Sequence, residues 1–352
     1  MLRRWLLLGV LVAASIGALT LAGAPAPYLL GALVGGLVTS MAAQAPDVPR
    51  SAGTLGQAVI GVSVGTLVTV ELLDTFAEHG WVIALALAGT LLSSLAWGQV
   101  LRLQPGVTAT TASFASIAGG ASGVVATARD AGADEPVVAT IQYLRVLVVL
   151  FTMPVVAGLI DPSASLTGGP QSGAGASWTA YAFTLIALGI GLVAVRYLSF
   201  PGGAVLLPML VSVLLAGTGL FGDATVPTVL LNAGYVVIGV QVGVKFTPQT
   251  LRLIMRLLPL ALIQVAGTIL TCAAIGYVVS LTTGISPLDA YLATTPGGLY
   301  AVVAIALSTG ADTGLVFSLQ VLRLFAALLM VPLLARLTRP RPAEGEGEAE
   351  PV

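Results

Sequence analysis

Long apolar runs separated by short polar breaks extend along most of the chain. Trp81–Val100 and Leu257–Leu281 are the clearest, and each provides the ~20 apolar residues that a bilayer-spanning helix requires. The first-half segments are 5–22, 28–43, 54–70, 80–102, 108–128 and 136–160, and the second-half segments are 178–197, 202–218, 226–244, 254–281, 287–308 and 313–337. This pattern predicts an all-α fold, a polytopic transmembrane helix bundle of about 10–12 segments.

The two sets of segments are copies of one unit. A shift of 178 residues aligns Gly119-Gly120 with Gly297-Gly298, and it gives 15 identities in the 36 positions from 119 to 154. Low-complexity apolar sequence does not align Gln, Arg, Asp and Pro at a single offset. We therefore predict a first membrane repeat at 1–160, a flexible Gly/Ser linker at 161–177, a second repeat at 178–338 and a disordered acidic tail at 339–352.

The composition fits this interpretation and narrows the function. Hydrophobic residues make up 57% of the chain and charged residues 8%, with a mean hydropathy of +1.01, whereas soluble domains carry about 25% charged residues. The net charge of −1 and the lack of a basic patch argue against a nucleic-acid partner. His79 and Cys272 are the single histidine and cysteine, so we expect no metal site, no cofactor and no enzymatic activity.

Equivalent loops of the two halves carry opposite charge. The loop at 71–79 has three acids and no Lys or Arg, whereas its counterpart at 245–256 has three basic residues and no acid. Because basic loops stay in the cytoplasm, the two loops should face opposite sides, as in the inverted repeats of secondary transporters. Inversion requires an odd number of crossings in each half, so we expect 28–43 or 202–218 to be re-entrant or interfacial. The alternative is a parallel repeat with twelve spans.

The N-terminal segment allows two interpretations. Arg3 and Arg4 precede a long apolar run that recurs in the second half, which favours a retained helix with a cytoplasmic N-terminus. The alternative is a cleaved signal peptide.

A helix break interrupts the fifth segment of both halves. The glycines and the proline at this point disrupt a helix and free backbone N–H and C=O groups, which inside a bilayer must face protein or a water-filled cavity. In transporters, paired half-helix ends typically form the solute-binding site. The alternative is that each break is a kink that lets neighbouring helices pack closely. The candidate binding residues here are Ser116, Gly119, Gly120, Ser122 and Gly123, and Thr294, Thr295, Pro296, Gly297 and Gly298.

The sixth segment of each half carries a glutamine and an arginine three residues apart, Gln142 with Arg145 and Gln320 with Arg323. This spacing puts the two side chains on one helix face. Each arginine should lie near mid-membrane, where a charge costs at least ~2.5–3.5 kcal/mol and therefore needs a partner. The partner is either an anionic substrate, which guanidinium can bind bidentately, or protein: the carbonyl groups at the breaks, or an aspartate of the other half.

Three aspartates precede helices. Asp134 and Asp312 follow Gly-Ala just before the sixth segments, where a helix N-cap is expected. Asp289 follows Ser286-Pro287-Leu288, a spacing that resembles a capping box. We interpret all three as caps and keep coupling to an ion or proton as the alternative role.

The runs at 119–123, 132–134 and 142–145, with their second copies at 296–298, 310–312 and 320–323, resemble the duplicated signature of bacterial AbrB-type membrane proteins. The order of a Gly-containing segment, a Pro-Gly-Gly break and a following helix is also similar to the bile-acid/sodium symporter and cation–proton antiporter superfamily, which implies a transporter fold. Members of the AbrB-type family are labelled ammonia monooxygenase, AbrB-like regulator or permease. A monooxygenase would need redox-metal ligands that one histidine cannot supply.

These observations predict a secondary transporter of a small, anionic metabolite, bound between the two broken helices. The alternative is a non-transporting membrane receptor or regulator that affects gene expression indirectly. The resemblance implies the bacterial cytoplasmic (inner) membrane. The expected partners are the lipid bilayer and a small-molecule solute, and a homodimer is left open.

Overall fold

The computed structural model describes residues 2–24, 26–42, 46–66, 70–117, 128, 131–160, 177–198, 203–222 and 225–338. The helices of the first half are α1 Leu2–Leu21, α2 Pro27–Ala42, α3 Arg50–Gly65, α4 Val70–Gly98 with a 3₁₀ turn at Gln99–Leu103, α5 Ala109–Ser116 and α6 Glu135–Ile160. Those of the second half are α7 Trp178–Tyr197, α8 Gly203–Gly217, α9 Thr228–Gly243, α10 Pro248–Thr283, α11 Pro287–Thr294, α12 Leu299–Thr309 and α13 Thr313–Thr338. No strand occurs within these ranges, so the predicted all-α bundle is confirmed.

Five of these helices are long and apolar enough to cross a membrane. The spans are Arg3–Leu21, Glu78–Leu103, Glu135–Ile160, Trp178–Tyr197 and Leu251–Thr283. Large apolar side chains on them face outward, among them Leu85 and Leu270. An outward apolar face is stable against lipid chains and unstable in water, so the chain is a membrane protein.

Equivalent helices of the two halves run in opposite directions. Helices α3 and α9, which are related by the 178-residue shift, pack antiparallel: Gly56 faces its own counterpart Gly234, and Gly53 faces Gln241. The equivalent helices α4 and α10 cross in the same way, with Gly89 against Ile275. The predicted inversion of the repeat is therefore confirmed by the direction of its helices.

The re-entrant element is the fifth segment. Asp289 at the start of α11 accepts a hydrogen bond (2.8 Å) from the backbone N–H of Asp312 at the start of α13, so the chain between them leaves one end of the bundle and returns to it. In the first half the backbone N–H of Asp134 donates to Thr111 (3.0 Å), which brings the starts of α5 and α6 together in the same way. Helix α11 has 8 residues and rises about 12 Å, only part of a crossing.

The expectation of a re-entrant segment at 28–43 or 202–218 is wrong. Helix α2 instead runs parallel to α9 along its length, with Gly36 against Gly243 and Ser40 donating to the carbonyl of Val244. Helix α8 runs parallel to α3, with Gly61 against Val205. Close approach at the glycines lets α2 and α8 pack against helices of the opposite half. Among the described residues each half therefore has five helices that run along the bundle, and the second half adds a complete hairpin.

The inverted arrangement gathers the basic residues at one end of the bundle, which we call the basic end. Within the described ranges, every Lys and Arg outside the core lies there, beside the start of α1, α3 and α10 or the last turn or immediate continuation of α4, α7, α9 and α13. They are Arg3, Arg4, Arg50, Arg102, Arg196, Lys245, Arg252, Arg256 and Arg336. The charged residues that the structure describes at the opposite end are acids, including Glu78, Asp289 and Asp312. One-sided positive charge is the pattern that fixes membrane orientation.

The predicted linker and tail lie at 161–177 and 339–352, and 161–176 and 339–352 fall outside the described residues. The domain boundaries stay a prediction.

Candidate functional site

The break in the second hairpin exposes backbone groups inside the bundle. Helix α11 ends at Thr294, Thr295 is extended (φ −60°, ψ 136°), and α12 starts after Gly298. The last carbonyl groups of a helix have no partner within it. In the first hairpin α5 ends at Ser116 and Ile117 is extended (φ −65°, ψ 122°).

Gln320 and Arg323 bind those carbonyl groups directly. The Gln320 amide Nε2 donates to the carbonyl of Leu292 (2.8 Å) and to that of Thr295 (3.1 Å). Arg323 Nη1 donates to the carbonyls of Thr294 (3.1 Å) and Thr295 (2.7 Å). A cation at a helix C-terminus also compensates the negative end of the helix dipole. We call this pair and its first-half equivalent the Gln/Arg clamps.

The first half repeats the clamp residue for residue. Gln142 Nε2 donates to the carbonyl of Phe114 (3.2 Å), while Arg145 donates to those of Ser116 (2.9 Å) and Ile117 (3.4 Å). Each donor and each acceptor lies 178 residues before its counterpart. The same local interaction therefore terminates both half-helices.

The structure distinguishes between the two protein partners that were proposed for the arginines, the carbonyl groups at the breaks and the aspartates. The carbonyl groups at the breaks are bound, and the aspartates are occupied at their own helix starts: Asp134 accepts from the N–H of Val137 (3.1 Å) and Asp312 from that of Leu315 (3.0 Å). The capping interpretation of these two residues is thus confirmed. An aspartate partner for the arginines is wrong, because α6 and α13 begin at the ends of the bundle and the arginines lie at its centre.

Asp289 lies in the first turn of α11, where it contacts the N-cap residue Ser286. Ser286 accepts from its backbone N–H (3.1 Å) and donates to its carboxylate (2.6 Å), which is the expected capping contact. The other carboxylate oxygen closes the hairpin by binding the N–H of Asp312. A coupling role for the three aspartates stays a prediction.

Part of each guanidinium group is not used by the clamp. Arg323 is 1% exposed and Arg145 4% exposed, yet Nε and Nη2 of Arg323 and Nε of Arg145 have no hydrogen-bond partner in the described part of the chain. The two cations also repel each other electrostatically. Every described Asp and Glu lies near a helix end, so two positive charges share the centre of the bundle without a counter-charge from those residues.

The second break packs against α6 next to Arg145. A side chain at Gly297 would meet Val149 and Met153, and one at Gly298 would meet Val146. Gly298 caps α12 without a side-chain hydrogen bond, so the first N–H groups of α12 are left for another acceptor. The break and both guanidinium groups therefore belong to one region.

The predicted site residues differ in what they can still bind. The hydroxyl groups of Ser116, Thr294 and Thr295 already donate to backbone carbonyls of their own helices, and Pro296 is buried. They can contribute acceptors only. Gly119, Gly120, Ser122 and Gly123 lie outside the described residues.

Gln264 is a residue of this region that the sequence patterns did not reveal. It is 0% exposed, and neither its amide nitrogen nor its amide oxygen has a partner in the described ranges. Its neighbours on α10 belong to the same buried clusters as residues of α6 around Arg145: Ala261 shares one with Leu144, and Val265 shares another with Val149. The sequence feature that could have identified it is an amide side chain within the apolar segment 254–281. The equivalent residue in α4 is Ala86.

Small residues let the half-helices approach α4 and α10. A Cβ at Gly276 would lie 2.8 Å from the carbonyl oxygen of Ala290, and one at the equivalent Gly98 would lie 3.0 Å from that of Ala112. No group of three His, Cys, Asp or Glu side chains lies together in the described residues. The arrangement can hold an anion by guanidinium and backbone N–H groups.

Comparison with known proteins gives a consistent family. The family described as "Transition state regulatory protein AbrB" matches residues 5–339. The "Putative regulator AbrB" of Escherichia coli (strain K12) is 35% identical over 315 residues, which cover 89% of this chain and 90% of that protein. The "Uncharacterized protein YhjN" of Bacillus subtilis (strain 168) is 25% identical over 343 residues, 91% of this chain and 89% of that protein. Neither name is that of an enzyme.

Proposed function

The chain belongs to the AbrB family, and we propose that it is a secondary transporter of a small anionic metabolite, which binds between the two hairpin breaks. The observation that carries the proposal is the pair of buried arginines, Arg145 and Arg323, whose unpaired nitrogens have no acidic side chain beside them among the residues that the structure describes. A buried charge needs a counter-charge, and an anionic solute would supply it.

The architecture supports transport over simple binding. In an inverted repeat the two halves offer the same local structure to opposite sides of the membrane, so rocking of one half against the other can expose a central site alternately. Broken hairpins with partly charged ends at mid-membrane are typical of such sites. The centre of the bundle combines both features.

The Gln/Arg clamps would have two functions in such a transporter. Each clamp satisfies the carbonyl end of a half-helix, which stabilises the break. The remaining guanidinium nitrogens, together with the N–H groups at the start of α12, can then bind carboxylate or phosphate oxygens.

The first experiment identifies the ligand. Purified chain is screened by thermal unfolding against organic acids, amines and Na⁺, and we expect organic anions to raise the unfolding midpoint. Uptake of the stabilising anion into proteoliposomes then tests transport. No stabilisation by any anion would contradict the proposal.

Lysine variants of the two clamp arginines test anion binding while preserving the stability of the fold. Arg323→Lys and Arg145→Lys keep the charge and one hydrogen bond to the clamp carbonyls, but they lose the planar fork that grips an anion. We expect at least about tenfold weaker anion binding with a preserved unfolding midpoint of the free protein. The matched control Arg196→Lys at the exposed end of α7 should bind as the unchanged chain does, and unchanged binding in both clamp variants would refute the proposed site.

A membrane receptor that regulates gene expression indirectly is the second candidate, because the family and one relative carry the name of a regulator. It predicts the same anion binding without uptake into proteoliposomes. The chain would act without contacting DNA, through a partner or a sensed metabolite. Uptake that depends on Arg323 would exclude this candidate.

The proposed location is the cytoplasmic membrane of a bacterium, because both relatives are bacterial. The positive-inside rule then puts the basic end in the cytoplasm.

A further inference from the structure

A large polar cavity opens at the basic end, and it extends as far as Tyr143, the neighbour of Gln142 on α6. Its volume is about 1020 Å³, at the upper limit of small-molecule sites. It lies between the start of α1, the end of α2, the start of α3 and the turn from α9 to α10. Its lining includes Arg4, Ser40, Asp47, Arg50, Tyr143 and Lys245.

Positive charge dominates this cavity. Three cations, Arg4, Arg50 and Lys245, face a single carboxylate, Asp47. Neither Arg50 nor Lys245 pairs with a carboxylate in the described part of the chain, and the ammonium group of Lys245 lies 5.4 Å from the ring centre of Tyr143. The exposed guanidinium group of Arg50 and ammonium group of Lys245 are therefore available to an anion.

The backbone adds to the positive potential. Helix α3 has 16 residues and begins at Arg50 in the cavity wall, and Pro49 caps it without a side-chain hydrogen bond. Its first N–H groups and the positive end of its dipole are thus available to an anion. Arg50 contributes a guanidinium group at the same point, which suits the tetrahedral oxygens of phosphate.

The cations of this cavity have no charged counterparts at the positions that the repeat relates to them. The residues that the 178-residue shift relates to Arg4, Arg50 and Lys245 are Ala182, Thr228 and Leu67. The cations are therefore not a by-product of the duplicated fold, because the repeat can be built without them. They were added to one end only.

We propose that this cavity binds the phosphate group of an anionic ligand at the basic end of the bundle. Two sources share this chemistry: the headgroup of an acidic phospholipid, since the cavity lies at the depth where headgroups are found, and a soluble phosphomonoester. The proposal is independent of the central site and holds for a transporter or a receptor.

The test uses the full chain in phosphatidylcholine nanodiscs. One arm titrates glycerol 3-phosphate, and the other replaces part of the lipid with phosphatidylglycerol; both record the thermal unfolding midpoint. We expect a rise of the midpoint in one arm or both, and the arm that responds identifies the source. A flat response in both arms would overturn the proposal.

Paired variants decide whether the cavity is responsible. Arg50→Gln with Lys245→Gln should weaken the response at least about tenfold in apparent affinity. Arg196→Gln with Arg256→Gln removes the same charge from the same end outside the cavity and should leave the affinity within about twofold. An equal loss in both double variants would mean diffuse surface attraction and would refute a site. If the first double variant does not fold, its single substitutions are compared with Arg196→Gln and Arg256→Gln.

Discussion

The centre of the bundle and the cavity at its basic end both concentrate positive charge, but they do so in opposite ways. At the centre the two halves contribute identical clamps, Gln142 with Arg145 and Gln320 with Arg323, and each guanidinium is tied to backbone. At the basic end the cations Arg50 and Lys245 come from non-equivalent positions and have no repeat counterpart of like charge.

This difference distinguishes features that the fold requires from features that make the two ends of the bundle chemically different. A feature that both halves keep is needed wherever the fold breaks a helix in a dry environment, because exposed carbonyl groups must be satisfied there. Cations that lie at one end of the bundle and have no repeat counterpart give the two sides of the membrane different chemistry. Gln264 is a second difference between the halves, because the equivalent residue in the first half is Ala86.

The largest expected effect concerns the hairpin of the second half, which brings a helix break to the centre of the bundle. In a chain with Cys272→Ser, the single variants Thr282→Cys and Ala311→Cys should be labelled from the same side by a membrane-impermeant thiol reagent, because they flank a hairpin. Lys245→Cys should be labelled only from the other side. Labelling at 282 and 311 from opposite sides would show that the fifth segment crosses the membrane.

Loss of a clamp should destabilise the fold strongly and equally in both halves. Arg323→Leu leaves the carbonyl of Thr294 unpaired and removes one donor from that of Thr295, which Gln320 still binds. Arg145→Leu leaves the carbonyl of Ile117 unpaired, whereas that of Ser116 keeps the hydroxyl group of Ser94 as a donor. We expect each to lower the free energy of unfolding in detergent by about 2–4 kcal/mol. Arg196→Leu at an exposed site should change it by less than about 0.5 kcal/mol. A neutral Arg145→Leu beside a damaging Arg323→Leu would break the equivalence of the clamps.

The glycine contacts behind the hairpins should show a smaller, matched effect. Gly276→Ala and Gly98→Ala each force a Cβ against the carbonyl of Ala290 or Ala112, so we expect a loss of about 1–3 kcal/mol in unfolding free energy. Gly189→Ala, with nothing within 4 Å of the added carbon, is the control and should be neutral or slightly stabilising. Stability losses of the same size at all three glycines would rule out the proposed contact.

The smallest effect is predicted at the asymmetric residue of the centre. Gln264→Leu replaces a buried, unpaired amide by an apolar group of similar size, so the free protein should gain about 1 kcal/mol of unfolding free energy. Binding of the anion found in the thermal screen should weaken if the amide contacts it. Increased stability with unchanged anion binding would show that Gln264 does not contact the anion and only lowers the stability of the protein.

Much of this architecture could be predicted from sequence because its determinants are periodic or repeated. The length of the apolar runs indicates that the helices span a bilayer. The 178-residue offset reveals the duplication, and the charge difference between 71–79 and 245–256 predicts inversion. The caps at Asp134 and Asp312 follow from local chain geometry and were predicted correctly. All of these depend on neighbours in the chain or on bulk transfer energies.

Tertiary structure decided what depends on contacts between distant segments. Residues 287–308 have the length and polarity of a crossing, and only the bond from the N–H of Asp312 to Asp289 shows that they turn back. Sequence left both partners of Arg145 open, because an unpaired carbonyl and an anionic ligand satisfy a buried cation equally well. Gln264 and the cavity at the basic end depend on which faces meet across α1, α3, α6 and α10, and a one-dimensional pattern does not contain that information.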